Sequence, residues 1–286
     1  MTETLVSARD IAFLLYEILD VEALCARPPF AEHSRETFDA ALATARQIAE
    51  EKFLPHFRLL DEEEPRLENG RVVLPPELGE ALKAAAAAGF IAAHFPPERG
   101  GMQLPWTVAQ ACNAHFKAAN APSFSYLLLT IAAVNLIDLF GTEAQKARYL
   151  EPMLTGRFLG TMVLTEPNAG SSLGDLSSRA APLGDGSFRI TGTKIFISGG
   201  EHELSENIVH LVLARIAGAP KGPKGISVFI VPRYRLNADG SLGPANDVKL
   251  LGLIHKMGWR GTTSTMLAFG ENGDCRGELL GRPNEG

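Results

Sequence analysis

The sequence predicts an α+β protein: an all-α N-terminal domain, then an antiparallel, β-barrel-like domain. Three observations carry this reading. Up to about residue 157 apolar residues recur at spacings of three and four; beyond it they alternate. The strand-like stretches cluster after the helical ones, the pattern of segregated α+β rather than of wound βαβ units. Two stretches, TMVLTEPNAGSSLG from Thr161 and TGTKIFISGG from Thr191, each run from β-branched or apolar residues into hydroxyls and glycines. The boundary is placed near 157, giving domains of 1–157 and 158–286.

In chain order, Ser7 with Asp10 forms a capping pattern for a helix running to about Leu19. A second helix follows Ser34, with Phe38, Ala41, Leu42, Ala45, Ile48, Ala49 and Phe53 on one face and Pro55 bending or ending it. Asp61 to Glu64 is an acidic run that reads as a solvated turn. Pro76 opens a third helix and Gly89 caps it. Helices then cover about 105–119 and 123–140, with a stop at Gly141, and Thr142 with Gln145 boxes a sixth. Strands are expected near 158–165, 187–198, 206–216, 225–231, 247–255 and 264–270. Asp185-Gly186, Lys221 to Gly225 and Asn237 to Gly240 mark the turns.

Composition narrows the function classes. The chain has 286 residues, 45% hydrophobic, enough for a core in one or two domains. Its net charge of −6, without Lys/Arg clusters, argues against nucleic acid or an anionic membrane as main partner. Cys25, Cys112 and Cys275 are scattered and no C-x-x-C occurs, so neither a disulfide framework nor a zinc site is expected. They read as thiols in a reducing, cytoplasmic setting. The start of the chain has no basic segment leading into an apolar one, so no signal peptide is expected. Tyr126 to Phe140 carries Asn135 and Asp138, and its apolar run is short of the ~20 residues that cross a bilayer. It reads as a core helix. None of the seven histidines pairs at metal-ligand spacing, so no metal site is expected, and His202 reads as a core histidine.

Chemistry concentrates in the two hydroxyl-and-glycine exits. Pro167 removes a backbone donor and ends the first strand. Asn168 to Ser172 are small, Gly170 is expected to use positive φ, and Thr165, Ser171 and Ser172 bring hydroxyls. Lys194 to Ser198 is expected to alternate as a strand that ends on Ser198. Two such exits are expected to offer a planar polar ligand one shared edge. Gly170-Ser171-Ser172-Leu173-Gly174 also matches G-x-S-x-G, the nucleophile elbow of a hydrolase, which needs a strand directly before it and a helix directly after. Pro167-Asn168-Ala169 intervenes instead. No G-x-G-x-x-G follows a strand, so a nicotinamide site has no support.

These residues resemble the acyl-CoA dehydrogenase family. Thr165 to Ser171 matches its T-E-P-x-A-G-S signature, and Gly192 to Gly200 is similar to its G-x-K-x-W-I-T-x-G. Lys256 to Thr262 (KMGWRGT) and Leu279-Leu280-Gly281 follow in family order. The opening Arg9-Asp10-Ile11-x-Phe13 and the stretch Glu201 to Asn207 look most like the methylthiopropionyl-CoA dehydrogenase branch. The resemblance implies FAD as cofactor, held by Met162, Leu164, Thr165, Gly170, Ser171, Phe196, Ile197 and Ser198. Thr165 would face the pyrimidine side of the ring, Phe196 would replace the family's Trp, and Ser198 would replace its Thr near N5. Ser171, Arg260 and Thr262 are the implied substrate-side residues. Val163 and Ser172 depart from the family pattern, the latter where Asp is common.

The implied activity is α,β-dehydrogenation of an acyl-CoA thioester. The implied partners are acyl-CoA and an electron-transfer flavoprotein or similar acceptor, within a homo-oligomer at full length. An acyl-CoA oxidase, or a non-catalytic module that binds acyl-CoA or flavin, remains an alternative. The last residues, Gly281 to Gly286, resemble the family's G-x-P-N-x-G junction into a C-terminal helical domain. That domain supplies the catalytic glutamate in the family, so no catalytic base is assigned here. Glu166, next to Pro167, is read as holding the loop or facing a neighbouring strand.

Overall fold

Helix signals near the start of the chain act as the sequence indicates. The computed structural model describes residues 5–285; Met1 to Thr4, where a leader would begin, and Gly286 of the closing motif lie outside the described residues. Ser7 accepts the Asp10 N–H and opens α1, Ala8–Ala12, which continues as a π-helical turn, Phe13–Ile18. Ser34 and Thr37 form a reciprocal capping box on α2, Arg35–Ile48, extended by a π turn to Phe53. Pro55 then lies in a 3₁₀ turn before α3, Phe57–Glu62.

The expectation that residues 1–157 are helical throughout is corrected next. Arg66–Glu68 (β1) and Arg71–Val73 (β2) form an antiparallel hairpin. Asn69 and Gly70 both have positive φ, as a two-residue Asn-Gly hairpin turn requires. The acidic run is also not a free turn, because Glu64 pairs with His255 (2.9 Å) and Arg260 (3.4 Å).

Next comes α4, Pro76–Ala87, ended by Gly89 at φ +80°. The long helix Trp106–Phe140 is two helices, as expected, since Asn120 is non-helical (φ −161°, ψ 85°). We denote them α5 (106–119) and α6 (121–140). The Asn120 side chain accepts the Ser123 N–H and donates to the Phe53 carbonyl, so it caps α6 while satisfying a buried acceptor. Trp106–Phe140 is long and apolar enough to cross a membrane by length and composition alone, but its apolar residues are largely buried within the protein. Thr142 and Gln145 box the start of α7, Glu143–Gln145, which continues through a π turn to Leu154.

Two compact units result, and they cut across the 157 boundary. One comprises Met1–Glu63, Pro75–Phe124 and Leu154–Gly156; the other comprises Glu64–Leu74, Ser125–Met153 and Arg157–Gly286. The first is helical. Its core is built on Phe53, Phe90, Phe116 and Phe124, with Phe116 about 5–6 Å from each of the other three rings.

The second unit is mainly β. Its strands are β3 Phe158–Val163, β4 Arg179–Pro182, β5 Ser187–Ser198, β6 Asn207–Ile216, β7 Ser227–Pro232, β8 Tyr234–Leu236, β9 Leu242–Ala245, β10 Val248–Leu253, β11 Ser264–Phe269 and β12 Arg276–Leu280. The pairings β5–β12–β7–β6–β4–β5 close a ring, so the barrel expectation holds. The interior takes Ala180, Ile190, Val212, Ala214, Phe229, Val231 and Cys275. The domain is mainly antiparallel, as expected, with two parallel pairings: β3 and β4 both run parallel to β6. Beyond the barrel, β5 also pairs β11, and β11 pairs β10. β3 lies close on α6: a Cβ added at Gly160 would meet Met153 and Ala133 at 2.6–2.7 Å.

Candidate functional site

The two motif stretches come together on β5, through an irregularity in it. Lys194 pairs with Leu267 and Ile197 with Thr265, so Ile195 and Phe196 face the single residue Met266. This is a β-bulge, which unpairs a residue and re-aims side chains. Simple alternation from Lys194 to Ser198, as the sequence predicts, is therefore corrected. Lys194 and Ile197 are both buried although they are three apart, and Phe196 is 59% exposed. Phe196 has φ +59°, a rare conformation for an aromatic residue and one that clusters at functional sites. The freed Ile195 N–H donates to the Thr165 carbonyl at 3.0 Å.

That bond sets the relation between the stretches. At the other end, the Thr161 hydroxyl donates to the Ser198 carbonyl at 2.6 Å. Met162 to Thr165 and Ile195 to Ser198 thus run side by side in opposite senses. Thr165 and Ser198 therefore lie at opposite ends of the paired segment. Met162, Leu164, Thr165 and Ser198 are half-buried, and Ile197 is buried. The Thr165 and Ser198 hydroxyls have no hydrogen-bond partner among the described residues.

After Thr165 a tight turn forms, with Glu166 and Ala169 bonded reciprocally through their backbones at 3.0 and 3.1 Å. Pro167 and Asn168 occupy its corners, exposed. The expected positive φ at Gly170 is corrected: it is absent from the positive-φ residues, and a Cβ there would meet nothing within 4 Å. With Pro167 and Asn168 taking the turn, Gly170 needs no special conformation. Ser171 and Ser172 are exposed, and a 3₁₀ turn, Leu173–Asp175, follows instead of the helix a nucleophile elbow needs.

A buried ion pair holds this loop. Glu166, 4% exposed, receives Ser177 N and Oγ at 2.7 Å, Ser178 N at 3.0 Å and Lys194 Nζ at 3.0 Å. Burial alone would raise its pKa; the Ser178 and Ser177 hydrogen bonds, with the Lys194 charge, outweigh this and pull it down to about 2. Lys194, fully buried, also donates to the Leu164 and Leu213 carbonyls. Burial pushes its pKa down, against the opposing pull of Glu166. Arg215 donates to the Leu176 and Gly174 carbonyls and fixes the far side of the loop. The motif around Lys194 carries no sign of this role, and Arg215 has no local signal, since its partners lie about forty residues away.

The substrate-side candidates separate. Thr262 is buried and its carbonyl accepts Lys256 Nζ at 2.6 Å. Its neighbour Thr263 receives the Gly199 N–H, so this segment lies against the Ser198 end of β5. Arg260 is paired with Glu64, and both line a cavity of ≈ 190 Å³ with Lys256 and Thr262. Ser171 lies on the exposed loop. His202 is a core histidine: it is buried, edge-on to Tyr126, and accepts the Leu204 N–H. No His/Cys/Asp/Glu cluster among the described residues could hold a metal.

Known proteins resemble this chain in sequence and in fold. The model of the acyl-CoA dehydrogenase N-terminal domain matches residues 35–157, and that of the middle domain matches 161–271. A 3-methylmercaptopropionyl-CoA dehydrogenase of Ruegeria pomeroyi is 38% identical over 278 residues, which are 97% of this chain and 47% of that protein. A butyryl-CoA dehydrogenase of Syntrophomonas wolfei is 33% identical over 280 residues, 96% of this chain and 45% of that one. The crystal structure of an acyl-CoA dehydrogenase complexed with FAD, from Bacillus anthracis, superposes with a TM-score of 0.69 at 23% identity, covering 90% of this chain and 39% of that one. At that identity the superposition speaks for the fold alone. The chain spans about half the length of the curated relatives it matches. It carries the N-terminal and middle domains of the acyl-CoA dehydrogenase family, and it belongs to that family.

Proposed function

We propose that this chain is the flavin-holding part of an FAD-dependent acyl-CoA dehydrogenase. The observation that carries the reading is the bulge on β5, which seats Met162 to Thr165 beside Ile195 to Ser198 and leaves an exposed aromatic between unengaged hydroxyls. These residues fit a flavin. Its ring is planar, with an edge of alternating donors and acceptors, and hydroxyls can both donate and accept. Thr165 and Ser198 would hold that edge, Met162, Leu164 and Ile197 would supply backbone and apolar wall, and Phe196 would cover the ring. Bound FAD supplies the hydride acceptor for α,β-dehydrogenation of an acyl-CoA thioester.

The chain's own residues orient and insulate. Lys194 and Glu166 fix the Leu164 carbonyl and the turn after Thr165. Glu166 is not the α-proton base, because its carboxylate is buried and already accepts four hydrogen bonds. Arg260 and Thr262 are the proposed contacts on the acyl-CoA side, with Ser171 toward the CoA arm. The 38%-identical relative makes a short acyl thioester such as 3-methylmercaptopropionyl-CoA the first substrate to try. An electron-transfer flavoprotein or similar protein is the proposed acceptor. The test is the visible absorption spectrum of the purified chain, with and without added FAD. Protein-bound flavin bands support the reading, and a chain that leaves added FAD free in solution refutes it.

A further inference from the structure

Tyr126, in the second turn of α6, is among the largest fully buried side chains of the protein. Burial pushes its pKa up to about 12, so the phenol stays neutral and can both donate and accept. It does both. Its hydroxyl donates to the Gly261 carbonyl at 3.3 Å and accepts the Thr263 N–H at 3.0 Å. The ring lies directly on Gly199, where an added Cβ would come within 3.4 Å of it, and meets His202 edge-on at 5.3 Å. Gly199 in turn donates to the Thr263 carbonyl. The preceding side chain, Ser125, accepts the indole N–H of Trp259. Two consecutive residues of one helix therefore hold the 259–263 loop at three points, and the same ring backs the residue after Ser198.

We propose that Tyr126 is a positioning residue that sets the substrate-side loop, with Thr262, against the flavin-side end of β5, with Ser198. This rests on the flavin reading above. The phenol is suited to the task because it needs no charge and engages both loop backbones through one atom and one ring face. Removing the hydroxyl leaves a buried carbonyl and a buried N–H without their partner, while Tyr126→Phe keeps the ring on Gly199. The cost should therefore fall on the loop more than on β5.

The experiment uses the full chain, wild type and Tyr126→Phe, with Ser125→Ala as a second variant that leaves the buried phenol in place. FAD is titrated first, and 3-methylmercaptopropionyl-CoA is then titrated into the FAD complex while the visible flavin spectrum is followed. In Tyr126→Phe the FAD dissociation constant should change by less than about threefold, while the acyl-CoA midpoint rises about tenfold or more. Ser125→Ala should shift the acyl-CoA midpoint in the same direction by less. An unchanged midpoint in Tyr126→Phe overturns the proposal, and so does an equal loss of FAD and acyl-CoA affinity, which is the mark of general loosening. A wild-type chain that binds no FAD defeats the flavin reading and this one with it. A wild type that binds FAD without any acyl-CoA response defeats the acyl-CoA side of both.

Discussion

Lys194 Nζ lies 3.0 Å from Glu166 Oε1, with both side chains essentially excluded from solvent. The pair joins the residue that starts the β5 bulge to the residue that starts the loop after Thr165. It also satisfies the Leu164 and Leu213 carbonyls.

Breaking such a pair from one side leaves a buried charge alone, which costs about 3–5 kcal/mol. Glu166→Gln and Lys194→Met should each lower stability by that order in urea unfolding, and the double variant by less than the sum. Strict additivity would mean that the two groups do not interact.

The pH dependence follows from the depressed Glu166 carboxyl. Its folded pKa of about 2 lies below the ordinary 4.5, so its stabilisation is fully present above about pH 4.5 and is lost as pH falls toward 2. Between pH 6 and pH 3 the wild-type thermal midpoint should fall more steeply than that of Glu166→Gln. Parallel curves would refute the assignment.

Two glycines should respond in opposite ways. A Cβ at Gly192 would stand 2.2 Å from Ser178 Oγ, at φ +151°. Gly192→Ala should therefore destabilise by about 1–3 kcal/mol. Gly170→Ala meets open space at an ordinary φ and should be neutral or stabilising by up to about 1 kcal/mol. Thermal midpoints of the two variants decide it.

Phe196 combines positive φ with high exposure, so the fold keeps it against backbone preference. Phe196→Gly removes a strain of about 1–2 kcal/mol while giving up little buried surface. The unliganded variant should be as stable as wild type or more so, yet bind FAD less tightly. Weaker stability with unchanged FAD affinity would make Phe196 a structural residue only.

Much of this was legible in the sequence because strong local signals coincide with long elements. Ser34 and Thr142 cap helices, and β5 and β6 are long strands rich in apolar and β-branched residues. Short elements escaped. β4 is Arg-Ala-Ala-Pro, poor in β-formers, and exists because β5 and β6 pair with it. The β1–β2 hairpin carries an Asn-Gly signal, Asn69-Gly70, set within a helical pattern. The bulge at Ile195 and Phe196 depends on the register of β11, some seventy residues later, and the Glu166–Lys194 pair spans 28 residues. Motif residues could be named in advance, but the opposed senses in which the two segments run could not.

Thr165 and Ser198, from opposite ends of the paired segment, are the residues proposed to hold FAD. Titration of FAD into the purified chain, followed by flavin fluorescence, tests this in the wild type and in Thr165→Val/Ser198→Ala. Each lost hydrogen bond is worth about 0.5–1.5 kcal/mol. The wild type should bind, and the double variant should bind about 5- to 150-fold more weakly with an unchanged unliganded thermal midpoint. Equal affinity in the two proteins, or no binding by the wild type, would contradict the account.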